Sequence, residues 1–298
     1  MSKFADTAAH LSASGLVPPT HWTRPSPPSR STLTAVHDPT YVDAFLRGTL
    51  PPAEDRRIGF RGLWSPALAR RTVLEVGGTA ATAAAALSSG LACHVGGGTH
   101  HAHPGYGSGF TIFNDLAVTA RTLVAPGGGV DRLLIVDVDV HQGDGTAAVF
   151  AAGGVLDGLP PLRLAHPPVP APNFPARKVA STLDVPLADG TSDAAYMDAL
   201  SGVLTPILSA FRPELVLYDA GVDVAAADAL GRLALTDAGI YGRDVAVMEA
   251  ALAAGAPVAT VIGGGYAADR EELATRHAIV FRAAVDVWRR LGVAGMRW

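Results

Sequence analysis

Leu133-Leu134-Ile135-Val136 runs without a break into Asp137-Val138-Asp139-Val140-His141, followed by Gln142-Gly143-Asp144-Gly145. The apolar run reads as a strand buried on both faces, the kind found in parallel sheets covered by helices. Side chains at i, i+2 and i+4 of a strand share a face, so Asp137, Asp139 and His141 are expected to point together from its end. A buried carboxylate is costly unless compensated, and two together repel, so the cluster calls for a cation or several strong donors. A bound metal is the simplest compensation.

The remaining pattern supplies a sheet around that strand. Periodicity and capping predict helices over 39–46, 66–87, 114–123, 146–152, 194–211, 236–254 and 270–291. Further strands are expected around Cys93, over 215–218 and over 258–262, giving an α/β fold with a mainly parallel β-sheet sandwiched between helices. With 49% hydrophobic and 17% charged residues the chain has ample core for one domain, 1–298, and is too apolar for disorder. Residues 17–30 are dense in Pro and Ser, so 1–30 is read as a partly irregular N-terminal arm. The net charge of -4 leaves no basic footprint for direct nucleic-acid binding. The longest apolar tract, 245–262, is interrupted by Glu249, Gly255 and Pro257 and reads as helix, turn and strand, so no membrane span is expected. No secretory leader is apparent and Cys93 is the sole cysteine, a core thiol, which together suggest a cytoplasmic protein.

Ligands of open parallel sheets sit beyond the carboxyl ends of the strands. Every polar cluster here falls at such an end: Gly96 to His101, His141 to Gly145, Ala220 to Asp223, and Gly263 to Tyr266. Asp139, His141 and Asp223 make a three-ligand set with a place left for water, the catalytic pattern of Zn(II), and Fe(II), Co(II) or Mn(II) also suit mixed O and N donors. His100 and His101 both reach one cleft only if the glycines before them turn the chain. If one is base and the other acid, they need different partners, which Asp137 and Asp144 can supply. Tyr266 follows three glycines and is placed to polarise a carbonyl over the metal. Asp228 is read as a brace for its loop, His103 as a rim residue and His94 as a satisfied core histidine. Neither glycine triplet gives a dinucleotide fingerprint, and Gly107-Ser108-Gly109 lacks the first glycine of a nucleophile elbow.

Four segments, GGGTHHAHPGYGSGFTIFND (96–115), IVDVDVHQGDG (135–145), YDAGVDVAAADALGRLALT (218–236) and IGGGY (262–266), resemble the histone deacetylase family, including its bacterial and acetoin-utilisation-type members. His141-Gln142-Gly143 is similar to the class IV branch, whereas Asp144 is like class I. The resemblance implies the arginase/deacetylase fold, with Asp139, His141 and Asp223 as zinc ligands. It makes His100 and His101 the catalytic pair, supported by Asp137 and Asp144 respectively, with Tyr266 polarising the acyl carbonyl. Gly109 and Phe110 would line the acyl tunnel, and Gly264 and Gly265 are placed with them as substrate-binding. A potassium ion, K(I), near the Asp137 segment is a weaker implication. No acidic rim residue is assigned, and the Pro160 to Pro175 segment offers no obvious aromatic to oppose Phe110, so a wide tunnel accepting longer acyl chains is expected.

The resulting reading is a zinc-dependent amide hydrolase acting on an acylated lysine peptide or a small acylated amine. Its rivals are an acetylpolyamine or small-metabolite deacetylase, an arginase-like dimetal hydrolase, for which the sequence offers too few additional carboxylates, and an inactive acyl-lysine binding module. Neither nucleic acid nor membrane is expected as a partner, and the oligomeric state is not fixed by the sequence.

Overall fold

The apolar run does form a central strand, and every residue of it is buried. The computed structural model describes residues 2–60, 62, 64–151, 162–163 and 174–291. Among these, six strands form one parallel sheet: β1 (Leu91–Cys93), β2 (Leu133–Asp137), β3 (Leu162–Arg163), β4 (Leu183–Asp184), β5 (Leu215–Asp219) and β6 (Val258–Val261). Their order is β1-β6-β5-β2-β3-β4. The four strands that end in polar clusters are therefore contiguous, and their following loops gather along one rim.

Alternation along the strands divides the core. Leu134, Val136, Val216 and Tyr218 pack with Leu200, Leu204, Val247, Met248 and Val287, so the helices Asp193–Phe211, Asp237–Ala253 and Ile279–Leu291 cover one face. Leu133, Ile135, Leu215 and Leu217 pack with Ala83, Ala86, Leu116 and Ala120, so Pro66–Ser89 and Asp115–Val124 cover the other. The small side chains of the alanine-rich helix let it lie close to the sheet. Asp193–Phe211 is long and apolar enough to cross a membrane by length and composition alone. Its buried residues, Tyr196, Leu200, Leu204 and Leu208, recur every fourth position and pack into the core.

Several boundaries differ from expectation. β2 stops at Asp137. Val138 still donates to the Asp219 carbonyl (3.0 Å), but the next N–H groups turn to side chains: Asp139 N to Asp137, Val140 N to Asp223 and His141 N to Asp139. Carboxylates thus replace the sheet as acceptors. The N-terminal arm holds a helix, Lys3–Ala13, whose Thr7 and Leu11 face inward and whose Asp6 pairs with Arg270 through two bonds of 2.9 and 2.6 Å. Short helices Arg30–Thr34 and Pro52–Ile58 were also not legible, and the expected 270–291 helix is two, Arg270–His277 and Ile279–Leu291. Most of the Pro160 to Pro175 loop lies outside the described residues. Cys93, expected as a core thiol, is half-buried at the end of β1 and packs against the core, its pKa pushed up to about 11 by burial.

A second, smaller core under the N-terminal helices centres on Tyr41, Phe45, Ile58 and Phe113. His37 lies within it, donating from Nδ1 to the His103 carbonyl (3.0 Å) and accepting from the Asn114 N–H at Nε2 (2.9 Å). Those bonds need a neutral ring, and burial lowers its pKa from 6.5 to about 4. The unfolded chain therefore binds the proton first. The contribution, up to about 3 kcal/mol, is complete above the unfolded value and is lost as pH falls toward the folded one. Urea unfolding at neutral pH and near pH 4.5 should show a smaller loss of stability in His37→Gln than in the parent; equal losses would rule out this coupling.

Candidate active site

The loop after β1 turns at Gly97 and Gly98, with φ of +77° and +81°, in the left-handed region that glycine tolerates. A Cβ at Gly98 would meet the Gly263 backbone at 2.5 Å. Asp115, buried at the start of its helix, organises the turn by accepting from the N–H groups of Gly98 (3.1 Å) and Thr99 (2.7 Å) and from the Thr79 hydroxyl (2.5 Å). Asn114 caps that helix and donates to the Ala102 carbonyl (3.1 Å), while Thr146 N donates to the His100 carbonyl (2.9 Å). So anchored, adjacent His100 and His101 enter one cleft, ring centroids 4.1 Å apart.

Their partners differ. His100 Nδ1 lies 3.0 Å from Asp137 and 3.7 Å from Asp219, whereas His101 Nδ1 lies 2.7 Å from Asp144. Burial alone would lower the His100 pKa, but Asp137 and Asp139 outweigh it and raise it to about 9. For His101, burial and the neighbouring His100 charge prevail over Asp144 and lower it to about 3. The pair is thus split into a charged and a neutral imidazole.

Asp137, Asp139 and His141 do not converge on a single point. Asp137 joins His100 and Asp219, while Asp139, His141 and Asp223 form a second buried group. In the latter, His141 Nδ1 is 2.9 Å from Asp223 and 3.2 Å from Asp139. Burial opposes charge on all three, and proximity to Asp139 adds to the upward shift of Asp223. Two carboxylates and an imidazole nitrogen, all within 4.8 Å of one another, make a donor set that fits a divalent transition metal. Gly264 supports it by donating its N–H to Asp139 (2.7 Å), and a Cβ there would run into the carboxylates of Asp139 and Asp223. Gly264 thus backs the Asp139 and Asp223 carboxylates, a Cβ at Gly265 would meet Val222 and His277, and both glycines line the cavity above them.

A cavity of about 570 Å³ reaches this floor, lined by His100, His101, Phe110, Asp139, Tyr266 and Lys3 among others. Phe110 has a φ of +63°, uncommon for a non-glycine residue, and its N–H donates to the Ile58 carbonyl (2.8 Å). Its ring is 6.1 Å from that of Tyr266, which is itself 6.1 Å from His141. Asp228 braces this loop, accepting from the N–H groups of Tyr266 (2.7 Å), Leu230 and Gly231 (2.8 Å each). His94 meets the Glu75 carbonyl (3.2 Å), away from the cluster.

Three residues escaped the sequence reading, and a fourth, His103, has a closer partner than a rim residue would. Phe174 stands edge-on to His101, centroids 4.7 Å apart, and beside Gly109, so the segment thought to lack an opposing aromatic supplies one. Lys3 donates from Nζ to the Gly263 carbonyl (2.6 Å), its pKa lowered by burial against the pull of Asp139 and Asp223. His103 contacts the far oxygen of Asp144 at 2.8 Å. Asp219, at the end of β5 and in register with Asp137, adds a carboxylate beside His100 where none was counted; its pKa is raised by burial and by Asp137. The signal for Asp219 was present, since Leu215 to Tyr218 is another apolar run ending in Asp; nothing marked Lys3.

Gly264→Ala should lose metal binding and activity while its circular dichroism stays that of the parent. A normal metal content in the folded variant would show that the loop yields to the added methyl.

A model of the histone deacetylase domain matches residues 1–282. The chain is 46% identical over 288 residues to an uncharacterised protein of Picosynechococcus sp., covering 97% of this chain and 93% of the other. It is 30% identical over 249 residues to the acetoin utilization protein AcuC of Staphylococcus aureus, 79% of this chain but 63% of that protein. Histone deacetylase 2 of Arabidopsis thaliana is 28% identical over 270 residues, 89% of this chain and 68% of that protein. The solved HDA15 HD domain superposes with a TM-score of 0.76 at 24% identity, covering 97% of this chain and 87% of that one, a likeness of fold.

Proposed function

The chain belongs to the histone deacetylase family, and from that membership we propose a zinc-dependent hydrolase that removes an acetyl or other short acyl group from a lysine side chain. The observation that carries this reading is the meeting of His101, Tyr266 and the Asp139, His141, Asp223 donor set around the floor of one cavity. Asp139, His141 and Asp223 would hold a divalent ion, whose Lewis acidity would be supplied to the water and the acyl carbonyl. His101, neutral and oriented by Asp144, takes the proton of the attacking water at Nε2. The Tyr266 hydroxyl, kept protonated by burial and by the nearby carboxylates, donates to the oxygen of the acyl group as negative charge develops there. The histidine pair then returns a proton to the departing amine, and His100, tied to Asp137, contributes positive charge beside the reacting atoms.

The mouth favours a lysine side chain over a polycationic amine. Phe110 and Leu230 are large exposed apolar residues that line the cavity, and exposed Phe174 stands beside His101 and Gly109, an apolar surround suited to an apolar tether and a poor partner for repeated ammonium groups. The expectation of long acyl chains rested on a missing aromatic wall, and Phe174 removes that premise.

Active protein should contain one transition metal per chain, lose activity on chelation and regain it with Zn(II) or Co(II); Asp223→Ala should lose both metal and turnover. Metal-free activity would defeat the reading, and binding of acyl-lysine without hydrolysis would make the chain a binding module. On one peptide, acetyl-lysine should be hydrolysed with a higher kcat/KM than octanoyl- or myristoyl-lysine, and acetylpolyamines should be poorer; the reverse order would reassign the substrate. Tyr266→Phe should retain fold and metal but lose about 10²–10³-fold in turnover, as for deletion of one oxyanion donor. A rate near that of the parent would reduce Tyr266 to packing.

A further inference from the structure

Asp144 is shared. Its Oδ1 meets His101 Nδ1 at 2.7 Å and its Oδ2 meets His103 Nε2 at 2.8 Å, so one carboxylate joins two imidazoles. A carboxylate bonded through one oxygen retains freedom about its broad terminal torsion, and a second charge-assisted bond removes it. We propose that His103 is a positioning residue for the hydrolysis, holding the far oxygen of Asp144 so that the near one stays aligned with His101. The proposal rests on reading His101 as the base.

His103 is itself fixed from several sides. Its N–H donates to the Tyr106 carbonyl (2.9 Å) and its carbonyl accepts from His37 Nδ1 (3.0 Å). The imidazole stacks on the Tyr106 ring, centroids 4.4 Å apart and planes 15° from parallel, and the Arg57 guanidinium lies 4.5 Å from the same ring. Only 11% of the His103 side chain is exposed. A simple rim residue would need none of this. Lys178, partly buried, donates from Nζ to the Phe174 carbonyl (3.3 Å), and Asp144 favours its charge. The segment His103-Pro104-Gly105-Tyr106 thus turns back on itself and presents Nε2 to the carboxylate.

Two substitutions separate the hydrogen bond from the packing. His103→Phe keeps a ring to stack on Tyr106 but removes the donor; His103→Gln keeps a side-chain N–H of similar reach. The phenylalanine variant should lose about tenfold in kcat with KM nearly unchanged, and the glutamine variant should recover most of that loss. Proton NMR supplies a readout independent of turnover. The His101 Nδ1–H resonance, identified by its disappearance in His101→Ala, should shift in His103→Phe and stay near its parent position in His103→Gln. Should the phenylalanine variant fail to fold, His103→Leu gives the same comparison. Equal kcat in the two variants, or an unmoved His101 resonance when the donor is lost, would overturn the proposal. Were the parent to show no hydrolysis at all, the resonance would still report whether His103 holds Asp144.

Discussion

Four buried aspartates at the carboxyl ends of two adjacent strands are the constraint on which the site depends. Asp137 and Asp219 end β2 and β5 side by side, and Asp139 and Asp223 follow them in the loops. Left uncompensated in such a place, carboxylates would protonate or unfold their surroundings. The fold answers in several ways. His100 and His141 lie against them, and the N–H groups of Val140, His141 and Gly264 bond to them directly. Lys3 brings its ammonium group nearby, and burial together with Asp137 pushes the Asp219 pKa up. A divalent ion at the Asp139, His141, Asp223 set would complete the compensation, so the stability of the rim and its chemistry make the same demand.

Close approach to these carboxylates explains the glycines better than chain flexibility does. A Cβ at Gly221 would lie 2.6 Å from Asp139, and one at Gly98 the same distance from Asp219. Gly263 and Gly264 would each drive a methyl into a carboxylate oxygen. The IGGGY run therefore has two duties: it leaves room for the acids, and it ends by placing Tyr266 over them.

What was legible in the sequence was whatever followed from period and local chemistry. The strand 133–137 was visible because its apolar residues face both helical layers; the need to split two similar imidazoles indicated that His100 and His101 have different partners, and the family resemblance implied which aspartate serves which. The N-terminal helix was hidden because Lys3–Ala13 buries only Thr7 and Leu11, too few to show a period; it is held by Arg270, more than two hundred and fifty positions away. Phe174 was hidden because Pro-dense sequence carries no period, so nothing indicated that its ring would stand over His101. His103 looked like a rim residue because its partner is defined by the fold alone: Asp144 is forty-one positions later.

Behind the sheet, the same rule extends to a residue no motif announces. Arg243, fully buried, donates to the carbonyls of Gly221 (2.7 Å) and Ala220 (3.4 Å) and pairs with Asp244 (2.9 Å), which also accepts from the Tyr218 hydroxyl (2.6 Å). A buried ion pair of this kind is weak evidence for stability, because the desolvation of both charges offsets much of their attraction. Its placement is more informative than its energy. Ala220 and Gly221 link β5 to Asp223, so the guanidinium fixes the carbonyls of the segment that must deliver the third ligand of the donor set. An apolar residue of similar volume could fill the space, but it would leave two buried carbonyls without donors, and the loop would be free to seek them elsewhere. The charge at Arg243 is thus explained by the position of Asp223: the polar chemistry of the rim is carried through the sheet to the helix that covers its back.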